Sequence, residues 1–149
     1  MSLKSTIQED VKTAMRSRET RRLATLRLLV AAIRQREIDE RRDLADADVL
    51  AVIEKLVKQR RDSIEQFRAG GREDLAAAES EELQVLEGYR PPALAEDALV
   101  AAIASAIERA GAAGPGDMGR VMAILKAELA GRADLGQVSG RVKAALASN

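Results

Sequence analysis

Apolar residues in this chain return at intervals of three and four, run after run, and each run is closed by a glycine, a proline or a cluster of charges. That spacing lines one face of an α-helix, whereas a half-buried strand needs strict alternation, and no stretch here alternates. Leu3, Ile7, Val11 and Met15 make the first run, with Ser2 placed to cap it. From Thr20, the residues Leu23, Leu26, Val30 and Ile33 repeat the pattern to about Glu40, with Arg21, Arg22, Arg34 and Arg36 mainly off that stripe. Arg41 to Ala45 read as a turn. Asp46 then serves as an N-cap for the longest predicted helix, built on Val49, Leu50, Ile53, Leu56, Val57, Ile64 and Phe67. Gly70-Gly71 ends it with residues that accept the left-handed backbone of a helix C-terminus. A fourth helix turns Leu75, Ala78, Leu83 and Leu86 inward and carries an acidic face of Glu79, Glu81 and Glu82.

Gly88-Tyr89-Arg90-Pro91-Pro92 is the sharpest break, because two prolines remove two backbone donors and bias the residue before them toward an extended conformation. A domain boundary is expected here, dividing residues 1–90 from 93–149. Beyond it, Leu99, Val100, Ile103 and Ile107 form a fifth helix ending at Gly111, and Ala112 to Gly116 form a flexible turn. Asp117 then caps a sixth helix carrying Val121, Met122, Leu125 and Leu129. Gly131 ends that helix, and Asp134 with Gln137 makes a capping-box-like start for a seventh on Val138, Val142 and Leu146. The expected fold is all-α: an N-terminal helical domain of about four helices and a small C-terminal three-helix bundle.

Composition narrows the chemistry. The chain has 149 residues, enough to bury a sizeable core, but its aromatics are one Tyr and one Phe, so that core must be aliphatic. Cys and His are both absent. Disulfides, thiol catalysis, cysteine- or histidine-ligated metals and an imidazole base are thereby excluded, leaving carboxylates, Lys, Ser and Tyr. Ser63, Ser80 and Ser139 have no convincing base beside them. Glu79, Glu81, Glu82 and Glu87 read as exposed helix glutamates ahead of metal ligands. No catalytic residue, metal or cofactor is expected. No apolar run approaches the length of a membrane span, and Met1-Ser2-Leu3-Lys4 carries no apolar signal region, which predicts a cytoplasmic protein with no membrane partner.

Formal charge is zero, from 24 basic and 24 acidic residues, but it is unevenly spread. Residues 1–62 hold 15 Lys/Arg against 11 Asp/Glu, residues 63–97 hold 3 against 9, and residues 98–149 hold 6 against 4. On the third predicted helix, Lys55, Lys58, Arg60 and Arg61 either grip phosphates or pair with the nearby Glu54, Asp62 and Glu65, and the paired reading is the simpler one. The Gly70-Gly71-Arg72 turn lacks the Gly-Lys-Ser/Thr ending of a phosphate loop, and Glu73 and Asp74 occupy the turn where an anion would sit. In the tail, Arg120, Lys126, Arg132, Arg141 and Lys143 all project into solvent and make a modest basic surface. A purely structural reading stands beside it, with Arg132 neutralising the carbonyl end of the sixth helix and Gly131 and Asp134 acting as caps. The nucleic-acid-binding candidates are these five residues together with Lys58 and Arg61.

Six blocks in order, Arg27-Leu28-Leu29, Lys58 through Ser63, Gly71 through Leu75, Tyr89-Arg90-Pro91, Asp117 through Met122 and Gly131 through Asp134, resemble the motifs of the YqeY family. That family is similar to the C-terminal helical part of GatB, the B subunit of the glutamine-dependent aspartyl/glutamyl-tRNA amidotransferase, and to modules appended to some glutaminyl-tRNA synthetases. The resemblance implies a two-domain helical protein that acts as a non-catalytic tRNA-binding accessory. Any carbon–nitrogen ligase label would be inherited, because the amidotransferase chemistry resides in parts this chain lacks. The alternative is an adaptor that docks on a tRNA synthetase or amidotransferase subunit without touching RNA. Two departures stand out: Arg90 where the family usually has Leu, and Leu135 where it usually has Gly.

Overall fold

A computed structural model describes residues 2–148, and among them the backbone forms seven α-helices and one 3-10 turn, with no strand. The helices are α1 (Leu3–Arg16), α2 (Thr20–Glu40), α3 (Asp46–Ala69), α4 (Glu73–Glu87), α5 (Glu96–Ala110), α6 (Met118–Glu128) and α7 (Leu135–Ala147), and the 3-10 turn is Pro115–Asp117. The chain separates into two compact units, Met1–Arg90 and Pro91–Asn149.

In the first unit, Ile7, Leu29, Ile33, Val49, Ile53, Val57 and Leu86 are buried together. The longest interface is between α3 and α4. Polar ties run across it: Arg60 lies 3.3 Å from both Glu79 and Glu82, and Arg61 lies 2.9 Å from Glu87. The acidic face of α4 is thus turned largely to the basic side of α3, and Glu81 reaches Arg21 on α2. At the end of α4 the Tyr89 hydroxyl donates to Asp10 on α1 at 2.5 Å. Burial, then the Asp10 carboxylate, raises the Tyr89 pKa. Arg90 donates from Nε to Glu54 at 2.6 Å, an ion pair that ties the end of this unit to α3.

Four local expectations fail in this unit. Asp46 is the first residue of α3, not its N-cap; Ala45 holds that place, and its N–H donates to Asp48 at 3.0 Å. The Asp46 carboxylate instead accepts from the N–H of Leu3 at 2.9 Å and, with Ser2 accepting from Ser5, satisfies the start of α1. Met15 is 52% exposed while Ala14 is buried. A strict four-residue repeat drifts by roughly 40° a step around the helix, so three steps carry Met15 off the inner face. Ala76 is buried in place of Ala78, which is exposed: a step of three falls back by about 60° and carries Ala78 away from Leu83 and Leu86, whereas Ala76 lies on their side of the helix. Phe67 is half-buried and lies outside the main cluster.

The second unit packs Leu99, Ile103, Val121, Leu125, Val138, Val142 and Leu146, with Ala106 and Leu129, into one aliphatic centre. Gly111 closes α5 at φ 62°, and Gly131 follows α6 at φ 73°, conformations that a Cβ would strain. Asp117 stands at the N-cap position of α6 as expected, but its side chain makes no cap hydrogen bond to that helix: the carboxylate accepts from the N–H groups of Ala113 at 2.9 Å and Gly114 at 3.3 Å and closes the preceding turn. The stretch expected to be flexible therefore includes a hydrogen-bonded 3-10 turn. Asp134 does cap α7, accepting from Gly136 at 2.8 Å, and Leu135 is simply the first helical residue. Val100, placed on the inner stripe of α5 by spacing, is 53% exposed.

Replacing the fully buried Leu125 with Ala is expected to cost about 2–5 kcal/mol in denaturant unfolding, against less than about 0.5 for Val100→Ala. A second expectation concerns acid. The Arg42 guanidinium, ahead of the Ala45 N–H, holds the Asp48 carboxyl down at about 2. Because the folded value lies below the unfolded one of about 3.9, the stabilisation is present above about pH 4 and is lost as pH falls through about 2. The stability gap between the native chain and Asp48→Asn should therefore be widest near neutrality and narrow in acid; a gap that stays constant down to about pH 2 would refute this linkage.

Candidate nucleic-acid interface

The seven basic candidates divide between the two units. Lys58 and Arg61 lie on α3; Arg120 and Lys126 lie on α6, Arg132 in the α6–α7 turn, and Arg141 and Lys143 on α7. The α-helical repeat sets Arg120 and Lys126 about 120° apart around α6, and Arg141 and Lys143 about 160° apart around α7. The five tail residues therefore do not form one row.

Partners thin the surface further. Arg120 is ion-paired with Asp117 three residues before it. Arg141 makes a two-pronged pair with Glu96 at the start of α5, its Nη2 donating to Oε2 at 2.9 Å. These contacts leave marks on the acids: the Arg141 guanidinium lowers the Glu96 pKa, and the Ala113 N–H followed by Arg120 lowers that of Asp117. Arg109, on α5, is held by Glu128 on α6 in the same two-pronged way. Exposed pairs of this kind add little stability, but each cancels the field its cation would project into solvent.

Arg132 is exposed, and its Nε donates to the Pro92 carbonyl at 3.4 Å, while its own carbonyl accepts from Leu94 at 3.0 Å. The α6–α7 turn is thus fastened to the segment that leads into α5, a structural duty that neither expected role included. Lys126 and Lys143 are exposed and, among the described residues, have no carboxylate within 4.0 Å. On α3, Lys58 is likewise exposed and unpaired among the described residues, whereas Arg61 is bound to Glu87. The pairs on α3 run across to α4 and to Arg90, not along the helix to Asp62 and Glu65 as its spacing suggests.

A groove of about 540 Å³ opens between α2 and α3, floored by Ala32, Val52 and Leu56 and rimmed by Gln35, Lys55 and Gln59. Among the described residues no group of three or more acidic side chains is placed to hold a metal ion. Sequence reasoning passed over Arg27, Arg34 and Arg41. They stand seven residues apart, a spacing that places Arg27 and Arg34 on one side of α2 with Arg41 at its left-handed C-cap, and that spacing was the available signal.

Comparison with known proteins gives the chain its relatives. Proteins named altered inheritance of mitochondria protein 41, mitochondrial, are similar to it in several fungi. The protein of Kluyveromyces lactis is 36% identical over 85 residues, covering 56% of this chain and 46% of that protein. That of Pyrenophora tritici-repentis is 35% identical over 125 residues, covering 80% and 69%. That of Saccharomyces cerevisiae is 33% identical over 86 residues, covering 57% and 46%. The chain spans about half the length of several of these relatives. Their names correct the expectation of a cytoplasmic protein, since they describe mitochondrial proteins. The physical reason is that mitochondrial targeting segments are amphipathic and Arg-rich, so a search for an apolar signal region does not distinguish the mitochondrion from the cytoplasm. No helix among the described residues is long and apolar enough to cross a membrane. The sequence pattern of Yqey-like proteins matches residues 4–146, nearly the whole chain, and the chain therefore belongs to the YqeY family.

Proposed function

We propose that this chain is a non-catalytic tRNA-binding accessory module, related to the tail of the GatB subunit of the tRNA-dependent amidotransferase. The observation that carries the reading is that Lys126, Arg132 and Lys143 stay exposed and without a carboxylate partner among the described residues of the second unit. The similarity of the YqeY family to that tail supports tRNA as the ligand. With so few unneutralised cations and no aromatic side chain in residues 91–149, binding rests on phosphates and shape and is weak. Arg120 and Arg141 belong to the surface only when a phosphate replaces Asp117 or Glu96.

Titration of labelled total tRNA tests this. Three phosphate contacts predict roughly a 40-fold loss of affinity between about 50 and 200 mM salt. Replacing Lys126, Arg132 and Lys143 together with Glu should abolish binding while the helical circular dichroism is retained. Arg141→Glu is the poorer probe, because it would set two carboxylates against each other at Glu96. Absence of binding by the native chain at low salt, or binding unchanged in the triple variant, would remove the proposal.

A second reading, an adaptor for a tRNA synthetase or amidotransferase subunit, is supported by a different observation. The outer face of α2 leaves Leu28 and Ile38 largely in solvent beside Arg27 and Arg34, which have no carboxylate within 4.0 Å among the described residues.

A further inference from the structure

Helix α2 is apolar on two sides. Its inner side carries the buried Leu26, Leu29 and Ile33. Its outer side carries a crest of Ala24, Leu28, Ala31 and Ile38, all exposed, with Leu28 at 52% and Ile38 at 69%. A surface helix that serves only its own core puts polar residues outward, so a second apolar stripe needs a different explanation. At 3.6 residues per turn these four residues fall within an arc of roughly 80°, with Gln35 as the single polar side chain on it between Ala31 and Ile38.

A cationic row borders the crest. Arg27 and Arg34 lie along one edge, about 10 Å apart along the axis, and Arg41 continues past them. Between Thr20 and Arg36 the helix has no acidic residue. Its other arginines are answered: Arg21 by Glu81, Arg22 by Asp10, Arg36 by Glu40 and Asp48. Arg27, Arg34 and Arg41 have no carboxylate within 4.0 Å among the described residues. Arg34 does act on Glu37 at longer range, but that carboxylate is held by Lys4 at 2.7 Å.

We propose that this face docks an acidic amphipathic helix of a partner protein, its apolar residues seated over Leu28, Ala31 and Ile38 and its carboxylates opposite Arg27 and Arg34. Three features select that occupant. The alanines at 24 and 31 leave hollows between the larger side chains, which suit the side chains of a second helix. The unanswered arginines select acidic over basic or neutral partners. The face has no aromatic side chain on which a base could stack, and a nucleic acid would leave Leu28 and Ile38 uncovered. The proposal rests on the adaptor reading and gives it a surface and a partner chemistry.

The test uses the full chain and a synthetic helical peptide about three heptads long, with leucines on one stripe and glutamates beside it. The native chain should bind this peptide, and the double variant Arg27→Glu, Arg34→Glu should bind it at least about tenfold more weakly. Ile38→Ser should also weaken it, and a peptide with lysines in place of the glutamates should regain binding to the double variant. Circular dichroism and the thermal midpoint of each variant should match the native chain, because none of these side chains enters the core. No binding by the native chain, equal binding by the double variant, or a double variant that loses tRNA and keeps the peptide each overturns the proposal. Capture from ribonuclease-treated extract separates the two readings. Protein partners held equally by native chain and double variant leave the adaptor standing without this face, whereas no captured partner at all removes the adaptor reading itself.

Discussion

Aliphatic packing without aromatic filler is the constraint on which the rest of the molecule depends. Branched side chains of modest size reach native packing density only when helices approach closely and present continuous stripes; the buried clusters of both units consist of Leu, Ile, Val and Ala, with Tyr89 at the margin of the first and Met118 and Met122 at the margin of the second. Ala76 and Ala106, each at 0% exposure, mark places where a larger side chain would have pushed helices apart. The groove beside α2 shows the reverse case, in which Ala32 on α2 and Ala51 on α3 leave an opening over Val52 and Leu56.

Polar groups then organise around those cores. Arginine and glutamate are abundant, yet much of their charge is spent internally, between α3 and α4 in the first unit and among α5, α6 and α7 in the second. A count of basic residues therefore overstates the field that a phosphate or an acidic peptide would meet. Among the described residues, what projects outward includes Lys126, Arg132 and Lys143 in one unit, and Arg16, Arg18, Lys55, Lys58 and the arginine row of α2 in the other. The two functional readings draw on separate parts of that remainder, so they make distinct demands on the same chain.

Helix identity was legible from spacing because apolar periodicity and Gly/Pro punctuation are local properties, and all seven helices lie close to where they were expected. The finer errors have one origin. Asp46 and Asp117 are acidic residues at helix starts, and sequence logic makes each a cap for its own helix. Each carboxylate is instead used by a different backbone, that of α1 or that of the preceding turn. A capping motif states which groups are available; it does not state which unsatisfied N–H will be nearest once helices pack. Stripe membership failed similarly at Met15, Ala78 and Val100, where a few tens of degrees of rotation decide between core and solvent.

By itself the sequence determined an all-helical chain with aliphatic cores, without cysteine or histidine chemistry, and the motif order that marks the YqeY family. Those are consequences of composition and of short-range order, which survive any arrangement in space. Only the tertiary structure decided which cations remain unneutralised. Arg141 and Lys143 are two residues apart and equivalent in sequence, yet one is bound to Glu96, 45 residues away, and the other is open to solvent. Coulomb interactions depend on distances between side chains from different helices, and those distances are set by packing.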